Sequence, residues 1–306
     1  MYPALPKSYK GVYPFKLGTT SFTYPDHIIP NIKMLGPYLD EIELLLFESA
    51  LPSLPTRNDI KEIRQLGKQF DLTYNIHLPL DISLGAADRS RRHAGLESIK
   101  HIIDLTASLS PSTCTLHLPY DETGAEPERI EAPCSKLQGI FDCKDESNFL
   151  IRSLTPQQNA GNALTVTVQR WQERVCQSLQ QLLAAGIESE SISIENLDYP
   201  FEWVEAILND FNLSVCIDIG HLMMNRFDVE AAFNKYSQRT VIIHLHGVEN
   251  NQDHLALDKL SAEKTKIVIR MLQRFGGVVS LEVFSYEKLT TSLNFLDKCW
   301  HNYNND

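Results

Sequence analysis

No apolar run in this chain comes near the ~18 residues that a membrane-spanning helix needs. The opening stretch, MYPALPKSYKGVYPFKLG, is broken by proline and polar residues and holds no hydrophobic signal core. The expectation is a cytoplasmic protein without a membrane segment. Cysteine is sparse and unpatterned: Cys114, Cys134, Cys143, Cys176, Cys216 and Cys299 include no Cys-x-x-Cys pair, which excludes a zinc ribbon and a thioredoxin-type redox site. All six read as reduced structural thiols, with Cys114 and Cys216 acting as small buried hydrophobes. No Gly-x-Gly-x-x-Gly turn follows any strand-like segment, so a dinucleotide-binding sheet loses its main signature. Positive charge is also short, with 28 Lys and Arg against 39 Asp and Glu, a formal net charge of −11. With no basic stripe interleaved with aromatics, a nucleic-acid partner is not expected.

What is present is an alternation. Strand-like runs at 15–20, 41–47, 72–77, 113–118, 191–197, 214–219, 241–246 and 278–284 are each followed by a helix-like segment, at 28–38, 57–70, 88–108, 166–185, 201–209, 229–236, 262–275 and 287–300. Repeated strand–helix units imply a parallel sheet. Eight of them fit a closed barrel, the (β/α)8 or TIM-barrel class, which needs ~250 residues. The 306 residues thus accommodate one barrel domain and an insertion. That insertion is the polar stretch 120–164, after the fourth strand, expected to form a lid over the barrel mouth.

The ends of those runs carry the chemistry. In order they present His77 (TYNIHLP), His117 (TCTLHLP), Glu195 (SISIENL), Asp218 and His221 (VCIDIGH), His246 (IIHLHG) and Glu282 (VVSLEVF). Side chains at the carboxyl ends of barrel strands converge above the barrel, and imidazole with carboxylate is the donor set of zinc and manganese. Carboxylates flanked by SISI, VCI and VVSL are buried if those runs are strands, and no Lys or Arg stands at a matching strand end to neutralise them. Glu195 is the natural bridge of a two-metal centre, with His77 and His117 completing one ion and Asp218, His246 and Glu282 the other. His221 with His254 and Asp253, from the loop ENNQDHLALD, would hold a third ion or contact substrate. His244 shares a face with His246 and is read as a supporting or core histidine; Glu48 is read as lining the mouth. Aromatics just past the strands, Phe22, Tyr24, Tyr120, Tyr199, Phe201, Trp203, Phe284 and Tyr286, would form its walls.

At these residues the chain resembles the xylose isomerase-like metal barrels, a superfamily of sugar isomerases, epimerases and abasic-site endonucleases of the endonuclease IV type. In the endonuclease branch the positions matching His77, His117 and Glu195 bind one zinc, and those matching Glu195, Asp218, His246 and Glu282 bind a second. Those matching His221 and His254, with a nearby Asp, bind a third, although Asp253 stands closer to His254 than that pattern has it. Within the superfamily, YPFKLGTTSFTYPDHIIPNI, DEIELLLFES, IHLPLDISLGAADR, LHLPYD, IENLDYP, DIGHLM and HLHGV with DHLAL resemble the cobamide-remodelling phosphodiesterases, which hydrolyse the nucleotide loop of corrinoids such as cobalamin.

The resemblance implies a hydrolase of two or three divalent ions, zinc or manganese, acting on a cobamide. Glu195, Glu282 and His221 would be catalytic, and His254, Tyr120, Trp203 and Tyr286 would contact substrate. A sugar or sugar-phosphate isomerase or epimerase is the alternative, for which His77, His117 and His254 are surplus. An abasic-site endonuclease and a corrinoid-binding protein without activity stand behind it. No helix face carries an extra apolar stripe, which fits a monomer or a weak homo-oligomer.

Overall fold

The computed structural model describes residues 2–120 and 156–303. Its strands are β1 (Lys16–Thr20), β2 (Glu41–Leu45), β3 (Thr73–His77), β4 (Cys114–Leu116), β5 (Ile192–Glu195), β6 (Ser214–Asp218), β7 (Thr240–Leu245), β8 (Gly247–Glu249), β9 (Gln252–Leu255) and β10 (Val278–Leu281). Eight of them, β1 to β7 and β10, pair in parallel around a closed barrel. β1 seals against β10, with Lys16 opposite Val278. The helices are α1 (Ile28–Leu35), α2 (Arg57–Phe70), α3 (Arg89–Thr106), α4 (Pro156–Ala184), α5 (Glu202–Phe211), α6 (Ile219–Met224), α7 (Val229–Tyr236), α8 (Ala262–Leu272) and α9 (Tyr286–Tyr303). The (β/α)8 expectation holds.

Burial explains why the strands read as unbroken apolar runs. Every residue of β2, β4, β5, β6 and β10 is buried, because helices cover the outside and side chains fill the inside. Several buried hydroxyls of the barrel strands are satisfied locally: Thr19 Oγ1 donates to the Leu281 carbonyl at 2.6 Å, and the Thr115 and Ser193 hydroxyls meet at 3.1 Å. α2 illustrates the outer layer. Thr56 caps it with Asp59 in a reciprocal capping box, Asp71 ends it at φ 49°, and Ile60, Ile63 and Leu66 turn inward. Each such side chain contributes ~1.5–3 kcal/mol on burial.

Three features differ from the sequence expectation. α4 starts at Pro156, ahead of the expected 166, and the remainder of the expected lid, 121–155, lies outside the described residues. A short helix, α6, follows β6 directly. The loop carrying Asp253 and His254 is a hairpin, β8–β9, turned by Asn250 and Asn251 at φ 52° and 58°. Two successive positive φ values are the geometry of a type I′ turn, which asparagine tolerates. Cys114, Cys176 and Cys216 are buried and Cys299 is half-buried; Cys134 and Cys143 lie outside the described residues.

Candidate metal centre

The carboxyl rim of the barrel brings the ligand-type residues together. β3 ends on His77, β5 on Glu195 and β6 on Asp218, while His117, His246 and Glu282 each stand one residue past β4, β7 and β10. Glu195 is at the middle. Its Oε2 lies 3.3 Å from His77 Nε2, 3.0 Å from His117 Nε2 and 3.3 Å from His244 Nδ1, and its Oε1 lies 3.3 Å from His221 Nδ1. Glu282 Oε2 is 3.4 Å from His244 Nδ1 and 3.6 Å from His254 Nε2. Asp218 faces His246 Nε2 at 3.2 Å and His221 Nδ1 at 3.5 Å. Its Oδ1 also accepts from the His221 backbone N–H at 2.7 Å, capping α6.

Three groups emerge whose donor atoms lie mutually within 4.8 Å: Glu195, Asp218, His244 and Glu282; His77, Glu195 and His244; and His221, His246 and His254. Their close approaches are mostly not hydrogen bonds. His117 Nε2, both nitrogens of His244, Glu282 Oε2 and Glu43 Oε1 are buried without a hydrogen-bond partner. An unsatisfied buried polar group costs ~1–3 kcal/mol, so several converging on one volume mark a place for something that satisfies them all. His77 sharpens this. Its Nδ1 faces the Leu78 carbonyl at 2.9 Å, which calls for the proton there and leaves the Nε2 lone pair aimed at a carboxylate oxygen. Two acceptors face each other across that gap unless a proton or a cation lies between. The donor set fits a divalent cation that takes nitrogen and oxygen, such as zinc or manganese.

The two histidines of the HLH sequence part company here. His244 is fully buried at the centre, between Glu195 and Glu282 on one side and Glu43 on the other. His246, nearer the strand end, joins the outer group instead. Its Nδ1 accepts the His254 backbone N–H at 2.9 Å, so Nε2 carries the proton and serves Asp218. Both its nitrogens are thereby engaged, unlike those of His244. Asp253, 41% exposed, reaches His254 Nδ1 at 3.1 Å and belongs to none of the three groups. Glu43 was absent from the sequence reading. In EIELL it looks like the polar half of an alternating strand, and only the presence of a second, buried Glu on a fully buried run hinted otherwise.

Burial and charge compete at each group. Burial raises the Glu195 carboxyl, but His117 and His244 outweigh it and hold the group well below the ordinary carboxylate value. For Asp218 burial again opposes and His246 and His221 win, leaving it low. Burial lowers His221, yet Asp218 and Glu195 push it up to about 10; Glu282 and Asp253 push His254 up to about 9.

The aromatic walls are only partly as expected. Tyr24, Tyr199 and Phe201 are buried in the core, and the Tyr286 hydroxyl donates to the Ala4 carbonyl at 3.0 Å with its ring on Tyr24. Tyr120 and Trp203, both half-buried, pack edge-on at 5.2 Å. What faces outward at the mouth is a run of rings, Phe22 to Phe47 at 4.9 Å and Phe47 to Phe284 at 6.5 Å, with Phe284 against His254 at 5.1 Å. Leu80 beside Phe47 extends this exposed apolar surface. Glu48 is exposed and accepts from Ser53.

The family model for the xylose isomerase-like TIM barrel matches residues 33–299. The chain belongs to that family. Solved structures of the same fold include a D-tagatose 3-epimerase-like protein (16% identity, 95% of this chain and 99% of that one, TM-score 0.68). D-psicose 3-epimerase from Clostridium cellulolyticum follows at 12% identity, 94% and 99% coverage and TM-score 0.63. Endonuclease IV from Thermus thermophilus stands at 14% identity, 94% and 99% coverage and TM-score 0.61. At these identities the xylose isomerase-like barrel is shared and the activity is not thereby carried over. No curated protein sequence matches the chain. Among the described residues, no helix is long and apolar enough to cross a membrane.

Proposed function

We propose that this barrel is a divalent-metal hydrolase acting on a phosphodiester, with the nucleotide loop of a cobamide as substrate. The observation that carries it is the excess of donors: His77 and His117 reach Glu195 in addition to the Glu195, Asp218, His244 and Glu282 group, which alone would serve a single ion. His77, His117, Glu195, Asp218, His244 and Glu282 would hold the ions, with His246 supporting Asp218. Bound divalent ions would activate water and offset charge gathering on the phosphoryl oxygens. In the reaction, water adds to phosphorus, one P–O ester bond breaks, and the departing oxygen takes up a proton. His221 and His254 stand on the partly exposed outer side of the cluster, placed to contact the phosphate or supply that proton. The exposed rings of Phe47 and Phe284, with the half-buried Phe22 beside them, offer a broad apolar bed for a flat macrocycle.

A second reading, a sugar or sugar-phosphate epimerase, draws the wider support from the comparisons, since the neighbouring structures are mostly sugar epimerases. One detail of the site favours it too: Glu195 and Glu282 approach the same nitrogen of His244, so two carboxylates flank one point, as proton exchange at a sugar carbon requires. The net charge of −11 speaks against duplex DNA as substrate.

One experiment separates the two readings. Metal-loaded protein is incubated with adenosylated cobalamin, and in parallel with ketohexoses and their phosphates in deuterated water. A cobinamide-type product, suppressed by a chelator and absent with Glu195→Gln, is the expected result. Unchanged corrinoid together with deuterium at a sugar carbon would overturn the hydrolase in favour of the epimerase.

A further inference from the structure

Glu43 lies inside the barrel on β2, with no exposed surface, and the ligand set of the proposed function does not use it. Its two oxygens are treated differently. Oε2 accepts from Ser280 Oγ on β10 at 2.6 Å, which fixes the carboxylate plane. Oε1 has no hydrogen-bond partner and stands 2.9 Å from His244 Nε2. The other nitrogen of that ring, Nδ1, faces Glu195 Oε2 and Glu282 Oε2 at 3.3 and 3.4 Å. His244 is therefore held between two acidic sides. One side is a lone carboxylate anchored to a hydroxyl; the other is the shared volume where the ligand atoms converge.

An imidazole that binds a cation through one nitrogen needs an acceptor for the proton on the other, and a carboxylate in that position fixes ring orientation and raises ligand basicity. The distance already suits a hydrogen bond, and its misalignment is of the kind that tightens when a ligand draws the ring into place. The other buried carboxylate of the same strand provides the contrast. Glu41, two residues earlier and at the amino end of the barrel, is satisfied by Thr73, Asn75 and Ser112 and does not approach the cluster.

We propose that Glu43 is a positioning residue of the metal centre: it holds His244 by Nε2 and so presents Nδ1 to the point shared by Glu195, Asp218 and Glu282. This rests on the reading of the cluster as a metal site, whichever reaction that site performs.

The test measures zinc and cobalt affinity by competition with a chromophoric chelator, and the visible spectrum of the cobalt-loaded protein. It compares the native chain with Glu43→Gln, Glu43→Ala, His244→Ala, the Glu43→Ala/His244→Ala pair, and Glu41→Gln as a buried-carboxylate control. Glu43→Ala is expected to weaken binding by about 10- to 100-fold. Glu43→Gln, isosteric and still able to accept through its amide oxygen, should lose less but shift the cobalt spectrum. The pair should be no worse than His244→Ala alone, because Glu43 acts through that ring. Native affinity and an unaltered cobalt spectrum in Glu43→Gln, or additive losses in the pair, would overturn the proposal. If Glu43→Ala does not fold, the Gln variant decides alone. Failure of the native chain to bind either metal would instead remove the metal-site reading beneath it.

Discussion

At the scale of single residues, the rim is a set of opposed charges whose balance depends on pH. In the metal-free protein, His221 and His254 have pKa values raised from 6.5 to about 10 and about 9 by Asp218, Glu195, Glu282 and Asp253. A raised folded-state value means that their contribution to stability is fully present below about pH 6.5 and is lost as pH rises through 9 to 10. Glu195 and Asp218 have values lowered from 4.5 and 3.8, so their contribution is present above those values and lost as pH falls below them. The metal-free protein should therefore be most stable near pH 5 to 6.5 and should unfold at progressively lower temperature from there to pH 10. Loading zinc, which displaces histidine protons, should flatten that decline. Thermal unfolding followed by circular dichroism across this range, with and without metal, is the check. A metal-free midpoint that does not move between pH 6.5 and 10 would show that the two histidines are not held by their acidic neighbours.

At the scale of elements, the turn from β6 into α6 sets the distance between Asp218, His221 and His246. Gly220 makes it possible, because a Cβ there would run into the His246 ring. Gly220→Ala should cost ~1–3 kcal/mol, the usual penalty for overfilling a packed site, and lower metal affinity about tenfold or more as Asp218 loses its partner. Urea unfolding and a metal titration measure both; unchanged affinity would mean that the turn does not govern the site. The same element shows what the sequence made legible. Asp218, Glu195 and His77 were readable because they close strands buried on both faces, where a polar residue after an apolar run stands out. Alternation puts His244 and His246 on one face, which does not by itself choose a ligand between them; what distinguishes them in the structure is a tertiary contact, the His254 N–H on His246 Nδ1. That contact exists only because Asn250 and Asn251 fold the loop into a hairpin, and a hairpin this short carries too little periodicity to announce itself. Glu43 was hidden for a related reason: its neighbours in sequence are ordinary, and its partners, His244 and Ser280, come from strands about two hundred residues away.

At the scale of the whole molecule, the barrel interior carries carboxylates at both ends, and only one end is satisfied. Glu41, at the amino end, is bonded by hydroxyls and an amide. At the carboxyl end, Glu43, Glu195, Asp218 and Glu282 crowd together with orphaned oxygens and nitrogens among them. The donors there come from β3, β5, β6 and β7 and from the residues just past β4 and β10, so a cation held by them would tie together most of the barrel's circumference. A ligand that binds the folded chain and not the unfolded one adds stability as RT ln(1 + [L]/Kd), about 2.7 kcal/mol at a hundredfold excess over Kd. Chelator-stripped protein should accordingly unfold at lower urea than metal-loaded protein. Zinc or manganese should restore the midpoint, and calcium or magnesium, which prefer all-oxygen sites, should not. The shift should vanish in Glu195→Gln, since Glu195, like His244, is common to two of the three groups. If stripped and verifiably reloaded protein unfold at the same urea concentration, the rim does not hold a cation in the folded state. The orphaned polar groups would then stand as an uncompensated cost of the fold, and both the hydrolase and the epimerase readings would lose their common foundation.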